Sequence, residues 1–411
     1  MNCGLLGRKL AHSYSPAIHA EFGGYNYKIF EVEPDNLGDF FSTKDFHGIN
    51  ITIPYKQAAM EFCKELSPTA QAIGSVNTIL KKPNGDLFGD NTDAAGFRKM
   101  VDLLGIPISG KKIIIFGTGG SSLSVVHVMK ELGAGEIILV SIEDNNAEFT
   151  RRHSDAEILV NCTPSGMYPY VGAGNPPILL EYFPKLCGVF DLVYNPARTW
   201  LMMDADEREI PNIGGLPMLV GQAAVSSAIF TGHEIGAEKV NSVINMLKRD
   251  MENIVLIGMP GSGKTTHGRL LAQILNRNFI DTDEEIIKLD GRTIPEIFAQ
   301  EGEEGFRKKE TEILAKFGKE SGVVIATGGG CVTREENFRH LKQNGAIIFT
   351  ERSTEELARE GRPLSQGDLN KMYEKRLPMY KKFADTTIKV QGSPDGVVKK
   401  ILEALDEIFN N

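Results

Sequence analysis

Short apolar runs alternate along the chain with stretches in which apolar residues return every three or four positions. The runs at 27–32, 48–53, 112–116, 136–140, 157–161 and 188–192 have the length and β-branched content of strands. Helical spacing is clearest at 94–104, 123–132 and 220–231, with a further run at 240–247. Beyond residue 250 the pattern predicts strands at 254–257, 278–281, 323–326 and 346–349. Helices are predicted at 264–275, up to about 319, and from about 395 to 409. Strands that alternate with helices imply α/β construction. A boundary is expected at 248–253, with no Pro/Gly/Ser-rich tether, so a few residues join the two halves.

With 411 residues the chain is long enough for two or three domains, each with its own core. An apolar content of 41% and a charged content of 24% are those of an ordinary globular protein. The net charge of −9, from 45 basic and 54 acidic residues, argues against a nucleic-acid surface. Anionic ligands must therefore be held by local Arg and Lys against the overall field. Cys3, Cys63, Cys162, Cys187 and Cys331 are scattered and odd in number, which fits neither a disulfide framework nor a zinc site. No apolar run approaches the ~18 residues of a membrane span, and no leader pattern opens the chain, so a cytoplasmic location is expected.

The most specific motif is Gly258-Met-Pro-Gly261-Ser262-Gly263-Lys264-Thr265-Thr266, between the apolar run 254–257 and a helical stretch. It satisfies G-x-x-x-x-G-K-[ST], the phosphate-binding P-loop. Its glycines let backbone N–H groups close around phosphate oxygens, and the following helix N-terminus adds positive potential. Lys264 supplies a charge for the β- and γ-phosphates of ATP, and the Thr265 hydroxyl suits Mg²⁺. Further on, Phe279-Ile-Asp281-Thr-Asp283 places two carboxylates at the end of an apolar strand, on one side by period-two alternation. Three consecutive glycines, Gly328, Gly329 and Gly330, end another strand and invite close approach of a ligand.

With Arg307, Gly361-Arg362-Pro363-Leu364 and Lys375-Arg376, this ordered set resembles shikimate kinase over about residues 253–411. The resemblance implies a P-loop, NMP-kinase-like parallel α/β domain with a lid. Asp283 then matches the carboxylate that orients the shikimate 3-hydroxyl, and Arg307 and Arg376 the pair that clamps the shikimate carboxylate. Gly328, Gly329 and Gly330 match glycines of the substrate pocket. Arg362 matches a lid arginine over the phosphates, and Arg359 a residue by the adenine. Gly258, Gly261, Ser262, Gly263, Lys264, Thr265 and Thr266 match the nucleotide loop, with Thr265 and Asp281 at Mg²⁺. The stretch from Arg359 to Arg362 is short for such a lid.

In the first half, Lys111-Lys-Ile-Ile-Ile-Phe-Gly117-Thr-Gly119-Gly120-Ser-Ser reads as a strand, a glycine turn and a helix. Ser122 takes the last glycine position of G-x-G-x-x-G. Polar clusters recur at the edges of apolar runs: Ser13 and Ser15, Thr52 and Lys56, Asn77, and Asp93. In this order, with Tyr194-Asn-Pro196 and Gly215-Leu-Pro-Met-Leu-Val-Gly-Gln222, they resemble shikimate dehydrogenase over about residues 1–247. The resemblance implies a substrate domain from 1–93 plus about 216–247, and a Rossmann-type domain from 94–215. Lys56 and Asp93 match the catalytic pair, and Ser13, Ser15, Thr52, Asn77, Tyr194 and Gln222 match substrate positions. Gly117, Gly119 and Gly120 match the NAD(P)H turn. Where the family carries an arginine for the NADP 2′-phosphate, this chain has Ser141-Ile142-Glu143, and Glu143 suits a free ribose hydroxyl. Few residues separate the next helix from the 157–161 strand, so the Rossmann unit is expected to be shortened, with Arg151 and Arg152 as an alternative clamp.

The expected activity is bifunctional: 3-dehydroshikimate is reduced to shikimate with NAD(P)H, and shikimate is phosphorylated with MgATP. The alternatives are an active kinase that carries a non-catalytic shikimate-binding module, and a P-loop assembly ATPase unrelated to shikimate.

Overall fold

In the computed structural model, which describes residues 1–10, 13–43, 45–141, 143–171, 178–357 and 369–410, the chain forms two compact units. The first holds two sheets and the second holds one. Among the described residues no helix is long and apolar enough to cross a membrane.

The first sheet comprises β1 (Asn2–Gly7), β2 (Asn26–Glu31), β3 (Gly48–Ile51), β4 (Glu65–Leu66), β5 (Thr78–Lys81) and β6 (Leu87–Asp90). Its order is β2-β1-β3-β5-β6-β4. β1 runs parallel to β2 and β3, whereas β5 is antiparallel to β3 and β6. The patterning did not reveal β1, β4, β5 and β6: glycine interrupts β1 and β6, and β4 and β5 span only two and four residues. β3 stops at Ile51, short of the predicted 53: the Thr52 amide still donates to the Leu6 carbonyl, but Ile53 is 74% exposed in the turn beyond.

The second sheet is wholly parallel: β7 (Lys112–Phe116), β8 (Glu136–Val140), β9 (Ile158–Asn161), β10 (Gly188–Asp191) and β11 (Asn212–Ile213) stand in the order β11-β10-β9-β7-β8. β9 and β10 are buried throughout, which explains their unbroken apolar runs. Between β8 and β9 the only helix among the described residues is Ala147–Arg152, so the crossover is short and β8 is an edge strand.

Two helices of the first unit, Asp93–Leu104 and Leu216–Thr231, meet backbone to backbone. A Cβ at Gly96 would lie 2.5 Å from the Met218 carbonyl oxygen, and one at Gly221 would lie 3.3 Å from the Gly96 Cα. This approach needs glycine on both sides. It brings the polar row Gln222 and Ser226 against Asn77 and Thr92.

The helix Ala237–Met251 runs past its predicted end, so Glu252 alone precedes the next strand and no linker occupies 248–253. The third sheet is also parallel: β12 (Asn253–Ile257), β13 (Phe279–Asp281), β14 (Val324–Ala326), β15 (Gly345–Glu351) and β16 (Thr386–Lys389), in the order β13-β14-β12-β15-β16. Central β12 sends Val255 and Ile257 to one core, and Ile254 and Leu256 to the other. The stretch Ile294–Phe317 is two helices joined at Gly302, whose φ of 69° breaks the run. The second piece carries Arg307. The helix Leu369–Phe383, which tolerates Pro378 inside it, carries Arg376 and Tyr380.

Because the Gly96 contact is with backbone, Gly96→Ala is expected to destabilise the first unit by about 1–3 kcal/mol through overpacking. Gly236→Ala, where an added Cβ meets nothing within 4 Å, should stay within about 0.5 kcal/mol. Denaturant unfolding of the two variants checks this, and equal stabilities would refute the close-packing argument.

Candidate active sites

In the first unit the turn after β3 presents Lys56, and the N-terminus of the helix Asp93–Leu104 presents Asp93. Lys56 Nζ donates to Asp93 Oδ2 at 2.5 Å, with the side chains 13% and 9% exposed. The other carboxylate oxygen accepts from Asn77 Nδ2 at 2.8 Å. Asn77 Oδ1 in turn accepts from the Thr92 amide at 2.7 Å and from the Thr92 and Thr78 hydroxyls, both at 3.1 Å. Asn77 is thereby fixed with its amide group toward Asp93. Gln222 Oε1 stands 3.5 Å from both Asn77 Nδ2 and Thr92 Oγ1, while its Nε2 donates to the Leu219 carbonyl.

The network continues through Asn50, whose Nδ2 donates to Ser226 Oγ at 2.8 Å and to Thr78 Oγ1 at 3.1 Å. Asn50 Oδ1 accepts from Tyr27 Oη at 2.8 Å, and the Tyr27 hydroxyl also lies beside Ser15. Burial pushes the Tyr27 phenol well up, so it stays a neutral donor. Ser15 opens a helix, and its amide donates to Ser13 Oγ at 3.2 Å. Tyr194 lies edge-on to Tyr14, between these two serines in sequence, with ring centroids 6.1 Å apart. One chain of contacts thus runs from Ser15 to Lys56. Thr52 is held by its amide on the path from Asn50 to Lys56.

Beside Lys56 lies the glycine turn after β7. A Cβ at Gly120 would stand 3.5 Å from Lys56 Cδ, so the lysine's methylene stem packs against the turn. Gly117 has φ 103° and its amide donates to the Val140 carbonyl, which ties the ends of β7 and β8 together. Gly119 caps the helix Gly120–Glu131. Ser122, in the last glycine position, is buried and donates to the Gly119 carbonyl at 2.6 Å, so the serine closes the turn. Past β8, Glu143 is exposed, and Asp144 Oδ2 accepts from Ser141 Oγ at 2.7 Å. The turn adjoining Gly117 is therefore acidic.

In the second unit one cavity of about 440 Å³ gathers Gly261, Gly263, Lys264, Thr265 and Thr266 with Asp281, Asp283, Arg307, Gly328, Gly329, Gly330 and Arg376. Gly258, Gly261 and Gly263 have φ of 149°, 86° and 90°, the backbone freedom that the loop's curl requires. Gly258 and Ser262 do not border the cavity: Ser262 is buried, with its hydroxyl 3.0 Å from Thr350 Oγ1. Lys264 Nζ donates to the Gly258 and Met259 carbonyls at 2.9 and 3.0 Å, and so braces the loop. Thr265 Oγ1 donates to Asp281 Oδ2 at 2.7 Å, a hydroxyl and a carboxylate that suit a hard cation.

The period-two placement of Asp281 and Asp283 needs correction. β13 ends at Asp281, and Asp283 is already in the first turn of the helix Thr282–Asp290. Asp281 Oδ1 caps that helix by accepting from the Asp283 amide at 3.0 Å, and helix geometry turns Asp283 into the cavity. Arg359 and Arg362 lie outside the described residues.

Close approach at the three glycines comes from the protein itself. A Cβ at Gly330 would fall 2.1 Å from the Arg307 guanidinium, and one at Gly328 would fall 2.4 Å from Glu310 Oε1 and 2.9 Å from Asp283 Oδ1. Arg376 Nη1 donates to the Gly329 carbonyl at 3.2 Å, and Tyr380 Oη donates there too. Sequence reasoning missed Glu310, which accepts from Arg307 Nη1 at 2.6 Å with its side chain 0% exposed. Burial raises its carboxyl pKa, and Arg307 opposes that shift. The spacing Arg307-Lys-Lys-Glu310 held the signal, since residues three apart share a helix face. No pattern pointed to Ser226 or Arg352.

A family model for shikimate kinase matches residues 260–406, and one for the shikimate dehydrogenase substrate binding domain matches residues 5–79. A shikimate dehydrogenase (NADP(+)) of Clostridium perfringens is 33% identical over 267 residues, covering 60% of this chain and 97% of that protein. Among solved structures, a chorismate mutase/shikimate 5-dehydrogenase fusion protein from Clostridium acetobutylicum aligns with a TM-score of 0.55 and 31% identity, over 60% of this chain and 97% of that one. The shikimate 5-dehydrogenase of Thermus thermophilus, in complex with NADP(H) and shikimate, aligns with a TM-score of 0.54 and 29% identity, over 60% of this chain and 99% of that one. Likeness along nearly the full length of such a relative leaves the P-loop unit as a separate addition, and the chain therefore belongs to the shikimate dehydrogenase family and carries a shikimate kinase domain after it.

Proposed function

We propose that this chain reduces 3-dehydroshikimate to shikimate in its first unit and phosphorylates the shikimate 3-hydroxyl in its second. The observation that carries the first reaction is the Lys56–Asp93 pair beside the Gly120 turn. Ketone reduction needs a hydride on carbon and a proton on oxygen. A bound nicotinamide supplies the hydride. Lys56 is the proton donor at the carbonyl oxygen, and Asp93, fixed by Asn77, holds the ammonium in place and accepts from a substrate hydroxyl. Ser13, Ser15, Thr52, Tyr194 and Gln222 supply the remaining polar contacts.

For the second reaction the carrying observation is one cavity that joins the P-loop to Asp283, Arg307 and Arg376. Two guanidiniums suit a carboxylate, and Asp283 suits the hydroxyl that attacks. Thr265 and Asp281 would hold Mg²⁺, which neutralises phosphate charge when bound. Lys264 turns its ammonium from the loop carbonyls to the transferring phosphate. Most of the catalysis is positioning and charge neutralisation. For the nicotinamide we favour NADH: the turn after β8 offers Glu143 and Asp144 where a 2′-phosphate would need a cation. Relatives named for NADP(+) set the comparison.

Lys56→Ala should lower dehydroshikimate reduction about 10²–10⁴-fold and leave ATP-dependent shikimate phosphorylation intact; coupled assays of both reactions read the split. A chain without turnover on either nicotinamide would mark the first unit as a binding module. Asp283→Asn should cut the phosphorylation kcat by at least about 10²-fold with reduction unchanged, and parallel loss of both activities would count against the assigned role. In kcat/KM, NADH should exceed NADPH by about tenfold or more, which corresponds to about 1.4 kcal/mol. A preference for NADPH would overturn the acidic-turn argument.

A further inference from the structure

Arg352 borders the second unit's cavity but has none of the roles assigned above. It directly follows β15 (Gly345–Glu351) and lines the cavity with Gly261, Gly263 and Lys264. It also lines a second cavity of about 520 Å³, with Ser353, Tyr373 and Gln391, and among the described residues it alone borders both. Its Nε is closed off from solvent and has no hydrogen-bond partner among the described residues. Among those residues its one ion-pair contact is Glu356, 3.7 Å from Nε and beyond hydrogen-bond reach. The guanidinium's charge is felt at the loop: His267, whose ring would be 2.6 Å from a Cβ at Gly263, is held below the ordinary histidine range by burial and then by Arg352.

A guanidinium is always protonated and offers five donors in a fixed fork. Although Nε is closed off, the side chain as a whole is 34% exposed, and a strongly anionic acceptor is the partner that its guanidinium best matches. The neighbouring loop is built to hold phosphate.

We propose that Arg352 is a phosphate-contacting residue of this kinase site, donating to the phosphate chain of a nucleotide held by the Gly258–Thr265 loop at the border of the two cavities. The assignment rests on the kinase reading of the second unit. It makes Arg352 a residue for nucleotide binding, with no direct contact to shikimate.

The test uses the full chain and the variants Arg352→Ala, Arg352→Lys and Glu356→Ala. Affinity for the non-hydrolysable analogue AMP-PNP with Mg²⁺ is measured by calorimetry, and phosphorylation with ATP and shikimate varied separately. Arg352→Ala should weaken AMP-PNP binding and raise the KM for ATP roughly 10- to 100-fold, the range for hydrogen bonds to charged groups. The KM for shikimate should move by less than about twofold. Arg352→Lys should recover part of the loss, because charge is kept and the fork is lost. Glu356→Ala should leave nucleotide affinity within about twofold. Unchanged AMP-PNP affinity in Arg352→Ala overturns the proposal. So does an equal loss in Glu356→Ala, which would reduce Arg352 to a structural partner, or an equal shift in the KM for shikimate. If the unmutated chain phosphorylates no shikimate, the kinase reading fails, and the AMP-PNP titration still decides the role of Arg352.

Discussion

Lys56 and Asp93 meet at 2.5 Å with each side chain about nine-tenths withdrawn from water. A charge pair removed from solvent is tolerable only when every remaining donor and acceptor is matched. Asn77 meets this requirement at Asp93, Thr92 and Thr78 fix Asn77, and Ser226 and Asn50 extend the network into the sheet and the helix Leu216–Thr231. The glycine contact between the helices Asp93–Leu104 and Leu216–Thr231 follows from the same need, because a larger residue at Gly96 would move Gln222 and Ser226 out of reach. The ketone reduction proposed for this site would need a preorganised ammonium, and the network around Asp93 holds Lys56 in place.

The second unit meets the same constraint differently. Arg307 and Glu310 form a buried pair on one helix, and Gly330 and Gly328 leave room for those side chains. Arg307 and Arg376 are anchored by Glu310 and the Gly329 carbonyl, and both line the cavity, as the proposed carboxylate clamp would require. Lys264 lines the same cavity with Gly261, Gly263, Thr265 and Thr266, so the two anionic groups proposed for it would meet basic side chains although the chain carries a net charge of −9. Local arrangement prevails over the overall field because low-dielectric walls concentrate the nearby charges.

Four strands of the second sheet, β7 to β10, were legible in the sequence as unbroken apolar runs, and β7 and β8 have the bounds the pattern predicts; the two-residue β11 was not legible. β1, β5 and β6 were not, since their character comes from neighbours in the sheet and not from any period of their own. The P-loop's curl was legible because glycine spacing sets it, whereas the placement of Gly258 and Ser262 away from the cavity was not. Asp283 was identified for a partly mistaken reason, strand alternation, when a helix start supplies its direction. The triple glycine was read as space for a ligand, and it first makes space for Arg307 and Glu310. Arg352 left no trace, because which side chain borders a cavity depends on elements distant in sequence.

By itself the sequence determined two α/β halves, a phosphate loop at 258–265, and the residue sets whose order and spacing resemble a dehydrogenase and a kinase of shikimate. These are properties of local pattern, fixed by side-chain period and backbone freedom. Only the tertiary structure decided that Asn77 orders Asp93, that Gly96 and Gly221 let two helices touch, that Glu310 anchors Arg307, and that Arg352 stands between two cavities. Each of these depends on atoms brought within a few ångströms from distant positions or across a helix face. Hydrogen bonding and close packing act over just that range.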